Sequence, residues 1–216
     1  MTLTRLSQIV QSRVYLKEVL VMAKLYFRYG TVGSAKTLNL LAVAHNYRQQ
    51  GKKILLFRPQ LDTRFGKDNI KSRAGLEMKA DLLITGETNL LEIDLEGVDC
   101  ILVDEAQFLQ ERLIDQLRQI TLTFRIPVIC YGLRTDFRTH LFPGSLRLME
   151  LADSIEEVKA TCHYCNKKSI MNLRHVNGSA TLDGPTVQLG AEEAYFPVCF
   201  GCYTNAIHKV KEPVSV

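Results

Sequence analysis

No uninterrupted apolar run in the chain exceeds five residues, whereas a membrane-spanning helix needs about 18. No membrane partner is expected. Neither sign of charge dominates: 27 lysines and arginines face 23 acidic residues, for a net charge of +4, too small a bias to argue for nucleic acid by itself. Proline and glycine are sparse at 6 and 13 residues while apolar residues reach 46%, which excludes disorder and collagen-like fibres. The chain does not open on the continuous apolar stretch of a secretory signal, because Arg5, Arg13, Lys17 and Glu18 break it up. The cytoplasm is the expected location. At about 150 residues per domain, the 216 residues make one domain with an appendage, large enough to bury about 70% of its unfolded surface.

Residues 1–21 carry no clear helical or strand period and stop just before Met22-Ala23-Lys24-Leu25. Lys17-Glu18-Val19 can be encoded by AAGGAGGT, a bacterial ribosome-binding sequence suitably spaced from a Met22 codon. This N-terminal extension is expected to be disordered or a translated leader, with native translation starting at Met22. N-terminal sequencing that begins upstream would overturn this. From Lys24 the punctuation is regular. Leu25-Tyr26-Phe27 is a β-rich run, and Leu40, Leu41, Ala44 and Tyr47 have helical spacing closed by Gly51. Residues 54–57, 100–103 and 127–131 are apolar runs of the kind buried on both faces of a sheet. Residues 60–73 have loop character, and Leu113, Leu117, Ile120 and Phe124 predict a helix. Strand and helix alternate, which implies a parallel sheet with helices on its faces.

Between the first strand and the first helix stands Gly30-Thr31-Val32-Gly33-Ser34-Ala35-Lys36-Thr37. It fits the P-loop pattern except that Ala35 occupies the place of the second glycine. Consecutive N–H groups and a helix N-terminus form a cradle for phosphate, Lys36 adds a point charge, and the Thr37 hydroxyl suits Mg²⁺. If the backbone at residue 35 has positive φ, the methyl group costs about 1–2 kcal/mol, and Ala35→Gly is expected to tighten nucleotide binding. Asp104-Glu105-Ala106-Gln107-Phe108 follows a buried strand, at the carboxyl edge where open parallel sheets bind ligands. Asp104 is placed to hold Mg²⁺ through a water, and Glu105 to accept a proton from an attacking hydroxyl or water. Acidic pairs after strands are often only solvated helix starts, so the pairing with the phosphate loop is what gives them weight.

Four of the six cysteines form two pairs, Cys162-x-x-Cys165 and Cys199-x-x-Cys202. Without a secretory signal this spacing favours metal over disulfides, and four thiolates make the closed, structural form of a zinc site. Such an ion would fold a lobe whose own core is too small. His163 is read as a solvent-facing residue between ligands.

Further segments complete an ordered set. They are Asp62-Thr63-Arg64, Ser72-Arg73-x-Gly75, residues 131–137 (Tyr-Gly-Leu-Arg-Thr-Asp-Phe) and residues 190–199 (Gly-Ala-Glu-Glu-Ala-Tyr-Phe-Pro-Val-Cys). In this order they are highly specific, and from Met22 to Tyr203 the chain resembles the type II (cellular and bacterial) thymidine kinases. The resemblance implies transfer of the ATP γ-phosphoryl group to the 5′-hydroxyl of thymidine. It implies that Lys36 and the loop amides hold phosphates, Thr37 and Asp104 position Mg²⁺, and Gln107 belongs to the same nucleotide-binding set. Glu105 resembles the general base and Arg64 the arginine that stabilises charge on the transferring group. A lasso-like loop tied by zinc, matched from about Thr186 to Tyr195, would grip the nucleoside through Val187, Gly190 and Tyr195, with Val32, Leu133 and Phe137 as the apolar wall. Deoxyuridine as a second substrate, feedback by thymidine triphosphate and a homotetramer are implied too. The chain departs from the family pattern at Ala35, Ala191, Phe200 and residues 138–141.

The expected architecture is α/β: a P-loop (RecA-like) parallel sheet flanked by helices, with a small C-terminal zinc-binding lasso domain. The expected divisions are an extension (1–21), a nucleotide-binding domain (22–154), a zinc-binding and lasso domain (155–207) and a flexible tail (208–216). Two rivals stay open, a nucleic-acid-stimulated P-loop ATPase and a catalytically weakened nucleotide-binding module. A translocating motor needs a second core of about 150 residues, which the chain does not supply.

Overall fold

The computed structural model describes residues 22–60, 69–186 and 195–211. The chain begins with β1 (Leu25–Tyr29), α1 (Lys36–Gln49) and β2 (Ile54–Pro59). A hairpin of β3 (Asn69–Lys71) and β4 (Glu77–Lys79) leads to β5 (Leu82–Ile84) and β6 (Cys100–Val103). Then come α2 (Glu111–Thr123), β7 (Val128–Gly132), α3 (Pro143–Leu151) and β8 (Ser154–Glu157). Six strands form one sheet in the order β5-β2-β6-β7-β1-β8, every pair parallel.

The apolar runs form strands because both faces of this sheet are covered. In β6, Ile101 and Val103 join the core beneath α2 and α3, while Cys100 and Leu102 join the opposite core beneath α1. This is the two-residue alternation of a strand read out on two buried faces. Leu40, Leu41 and Ala44 close one face; Leu113, Ile114, Leu117, Ile120 and Leu148 close the other. Since β6, β7 and β1 are parallel neighbours, their carboxyl ends share one edge, and the segments at 30–37, 104–108 and 133–137 emerge there together.

Three expectations are corrected. Phe124 lies past the end of α2 and is 45% exposed, because Leu113, Ile114, Leu117, Ile120 and Thr121 already complete the buried stripe. Residues 60–73 are not wholly loop, since β3 pairs with β4. The sheet runs past residue 154, as β8 pairs with β1 from Tyr26 to Tyr29.

Beyond the sheet lie β9 (Met171–Val176), β10 (Ser179–Ala180), β11 (Tyr195–Val198) and α4 (Phe200–Lys211). The strands form an antiparallel sheet in the order β10-β9-β11. Their separate core gathers Leu173, Val198, Tyr203 and Ile207 around Cys162 and Cys199. The expected disorder of residues 1–21 falls outside the described residues, as does the tail from residue 212.

Candidate active site

The phosphate loop turns between β1 and α1. Ser34 N–H donates to the Thr31 carbonyl at 3.2 Å, and Ala35 enters the helix in the left-handed region, at φ 65° and ψ 24°. This is the backbone state that a Cβ strains by about 1–2 kcal/mol. Ala35→Gly is therefore expected to stabilise the fold by about 1 kcal/mol, the gain being trimmed by glycine's freer unfolded chain. Thermal denaturation should show a rise of about 2–4 °C, and an unchanged midpoint would show the methyl group to be harmless. Nucleotide titration of the same variant checks the tighter binding expected from the sequence.

Lys36 is buried, and its ammonium donates to Thr31 O at 2.8 Å, Gly30 O at 3.3 Å and Ser34 Oγ at 3.4 Å. Its charge is held inside the loop that it serves. The Thr37 hydroxyl donates to both carboxylate oxygens of Asp104, at 3.2 and 3.4 Å. Asp104 is buried, and desolvation, with the neighbouring Glu105 charge second, pushes its pKa up to about 7. A carboxylate so placed gains from a cation, and a hydroxyl beside a carboxylate is a hard-oxygen pair that suits Mg²⁺.

Glu105 also adopts left-handed backbone, at φ 53°. Its Oε2 accepts from Gln107 Nε2 at 2.5 Å, while Gln107 Oε1 accepts from Leu133 N–H at 3.0 Å. Gln107, expected among the nucleotide-binding residues, thus orients the acid from the neighbouring strand end. This bridge needs a glycine beside it, because a Cβ on Gly132 would lie 2.6 Å from Gln107 Oε1.

One cavity of about 440 Å³ joins these groups. Its lining includes the polar Lys36, Thr37, Asp104 and Glu105 together with the apolar or aromatic Val32, Leu133, Phe137 and Tyr195. The Phe137 and Tyr195 rings are 6.1 Å apart. Phe137 is buried, and its carbonyl accepts from the Tyr203 hydroxyl of α4 at 2.7 Å. Arg64, Val187 and Gly190 lie outside the described residues.

The four cysteine sulfurs all lie within 4.8 Å of one another, with Cys165 3.7 Å from Cys199 and 3.8 Å from Cys202. A tetrahedral ion with zinc–sulfur bonds of about 2.3 Å needs sulfur–sulfur edges of about 3.8 Å, so the quartet fits zinc. Burial works against a thiolate at Cys162, but donors led by the Cys199 and Tyr164 N–H groups outweigh it and bring its pKa down to about 6. The other two cysteines stay apart from this chemistry: burial lifts Cys100 to about 12 and also raises Cys130. His163 is exposed, as expected, and its ring lies 4.4 Å from that of Phe196.

Sequence reading missed the ties between lobe and loop. Asn172, buried on β9, accepts from Val32 N–H at 2.8 Å and donates to Thr135 O at 3.1 Å. Ser169 and Thr31 share a hydroxyl hydrogen bond at 2.9 Å. Arg58, also unforeseen, is buried on β2 and lines the cavity beside Asp104. Asn172 is one of three polar residues on β9, beside Arg174 and His175, so nothing in the sequence singles it out and only the packed lobe reveals its partner.

The family model described as "Thymidine kinase" matches residues 23–203. A protein named thymidine kinase from Lactobacillus acidophilus is 46% identical over 189 residues, covering 82% of this chain and 94% of that one. Another from Lactiplantibacillus plantarum is 44% identical over 181 residues, with the same coverages, and one from Streptococcus pyogenes is 40% identical over 187 residues, covering 85% and 98%. Among solved structures, the Pif1 helicase from Candida albicans has a TM-score of 0.40 at 14% identity, over 68% of this chain and 38% of that one; this likeness supports no functional reading. With its phosphate loop, acidic strand end and cysteine quartet in place, the chain belongs to the thymidine kinase family.

Proposed function

We propose that this thymidine kinase transfers the γ-phosphoryl group of ATP to the 5′-hydroxyl of thymidine, giving thymidine monophosphate. The observation that carries the reading is the single cavity that joins Lys36, Thr37 and Asp104 to Glu105 and to the wall of Val32, Leu133, Phe137 and Tyr195. Donor phosphates would sit on the loop amides and Lys36, as anions do at a helix N-terminus. Thr37 and Asp104 would hold Mg²⁺, which when bound supplies positive charge beside the phosphates. Glu105, held by Gln107, would take the proton of the 5′-hydroxyl. Arg64 carries over as the arginine that stabilises the transferring group, and Val187, Gly190 and Tyr195 as contacts to the nucleoside. Little covalent chemistry falls to the protein, so these groups act by position and charge.

The four cysteines would hold a structural Zn²⁺, and the reading extends to a cytoplasmic homotetramer inhibited by thymidine triphosphate. One assay with radiolabelled thymidine, ATP and Mg²⁺ tests it. Phosphorylated thymidine is expected. ADP without it, rising with added DNA or RNA, would favour the nucleic-acid-stimulated ATPase, and neither product would favour the weakened binding module. Deoxyuridine should also be phosphorylated, because one methyl group in an apolar wall contributes about 1–3 kcal/mol of discrimination.

A further inference from the structure

Two arginines outside every role assigned above meet on one aromatic ring. Arg138 follows Phe137 directly and its guanidinium carbon lies 4.8 Å from the ring centre; that of Arg174, buried on β9, lies 5.1 Å from it. Arginine over an aromatic face is an attractive contact, stronger where water is excluded. The same guanidinium groups also grasp residues 182–185, and they divide the carbonyls between them. Arg138 donates to Leu182 O at 2.9 Å and to Gly184 O; Arg174 donates to Asp183 O at 2.8 Å and to Pro185 O at 3.4 Å. Arg138 reaches one step further, to the Thr186 hydroxyl at 3.4 Å. Gly184 sits at φ +98°, and a Cβ there would lie 2.4 Å from Arg174 Nη1, so any other residue would be strained at that backbone and would push the Arg174 guanidinium aside.

Phe137 and Thr186 both line the cavity. We propose that Arg138 and Arg174 form a paired clamp that sets Phe137 and Thr186 at the nucleoside end of the site, making them positioning residues for the acceptor rather than for the donor. Among the described residues, none of the clamp's hydrogen bonds given above involves Lys36, Thr37 or Asp104, so losing the clamp is expected to leave the donor cradle in place. Arginine is needed for its planar fork, which serves two carbonyls while its charge lies over a ring; lysine offers only a point charge.

The inference rests on the thymidine kinase reading above, and the experiment separates the two. Steady-state kinetics on full-length Arg138→Ala and Arg138→Lys, with zinc content measured alongside, should show KM for thymidine raised about tenfold or more in the alanine variant. That is the effect expected from one charge-assisted hydrogen bond. KM for ATP and zinc content should stay at the parent values, with the lysine variant in between. Gly184→Ala, which keeps both arginines but displaces one, should reproduce the same selective rise if Arg138→Ala does not fold. KM for thymidine equal to the parent's in these variants would overturn the clamp, as would a matching rise in KM for ATP or a loss of zinc. Parent protein that leaves thymidine unphosphorylated would instead sink the underlying reading and the clamp with it.

Discussion

Glu105→Gln is expected to lower kcat about a thousandfold, inside the 10²–10⁴ range of a positioned general base, while nucleotide binding persists. Glutamine is nearly isosteric, it accepts from Gln107 Nε2 through its own carbonyl oxygen, and it makes the same demand on the backbone at φ 53°. Only the capacity to take a proton is lost. The left-handed backbone at this residue is itself informative. A non-glycine residue there costs about 1–2 kcal/mol, and strain of this kind collects where a side chain must be aimed. Glu105→Gly separates the two effects: it should be as inactive as the glutamine variant yet no less stable, because the strain is relieved. Single-turnover rates with labelled thymidine, beside nucleotide titration of each variant, are the measurement. A rate within about tenfold of the parent for Glu105→Gln would remove Glu105 as the base.

The parts of this site that were legible in the sequence are those whose chemistry is local. Cys100-Ile101-Leu102-Val103 reads as a doubly buried strand because no residue in it needs water, and the structure buries all four. The strain at Ala35 was readable because one methyl group stands where a helix entry wants glycine, and φ is indeed positive. Two Cys-x-x-Cys pairs announce their own partnership, and their sulfurs converge. What stayed hidden depends on distant segments meeting. Residues 143–151 form a helix although Pro143 and Gly144 open them; Pro143 is tolerated in the first turn, where its missing N–H has no partner to lose. β8 has exposed residues at Ile155 and Glu156 and reads as polar surface until β1 pairs with it. Asn172 and Arg138 carry no motif at all, and their partners lie 140 and 44 residues away in the chain. Periodicity sees faces of elements; it does not see which loop a face will meet.

Removing the metal from the cysteine quartet should abolish activity, although no cysteine touches the cavity. Little else holds the C-terminal lobe. Among the described residues its core consists of Leu173, Ala180, Val198, Tyr203 and Ile207 beside the cysteines, whereas the main sheet is covered on both faces. Structural zinc contributes about 10–16 kcal/mol in small metal-dependent folds, comparable with the entire net stability of about 5–15 kcal/mol of an ordinary domain. A lobe this small is not expected to stay folded once four thiols lose their ion. Its loss reaches both ends of the site, since Asn172 holds Val32 N–H, Ser169 holds Thr31, and Tyr203 holds the carbonyl of Phe137. Chelation should therefore release one zinc per chain and bring thymidine phosphorylation to background, with activity returning when zinc is restored. The six-stranded sheet should outlast the lobe, giving a separate and later unfolding transition by circular dichroism. Cys199→Ser, which removes one ligand from the helix-proximal pair, should act in the same direction. Full release of zinc with turnover retained would mean that the lobe's own packing holds Asn172, Ser169 and Tyr203 in place, and the ion would lose its structural role.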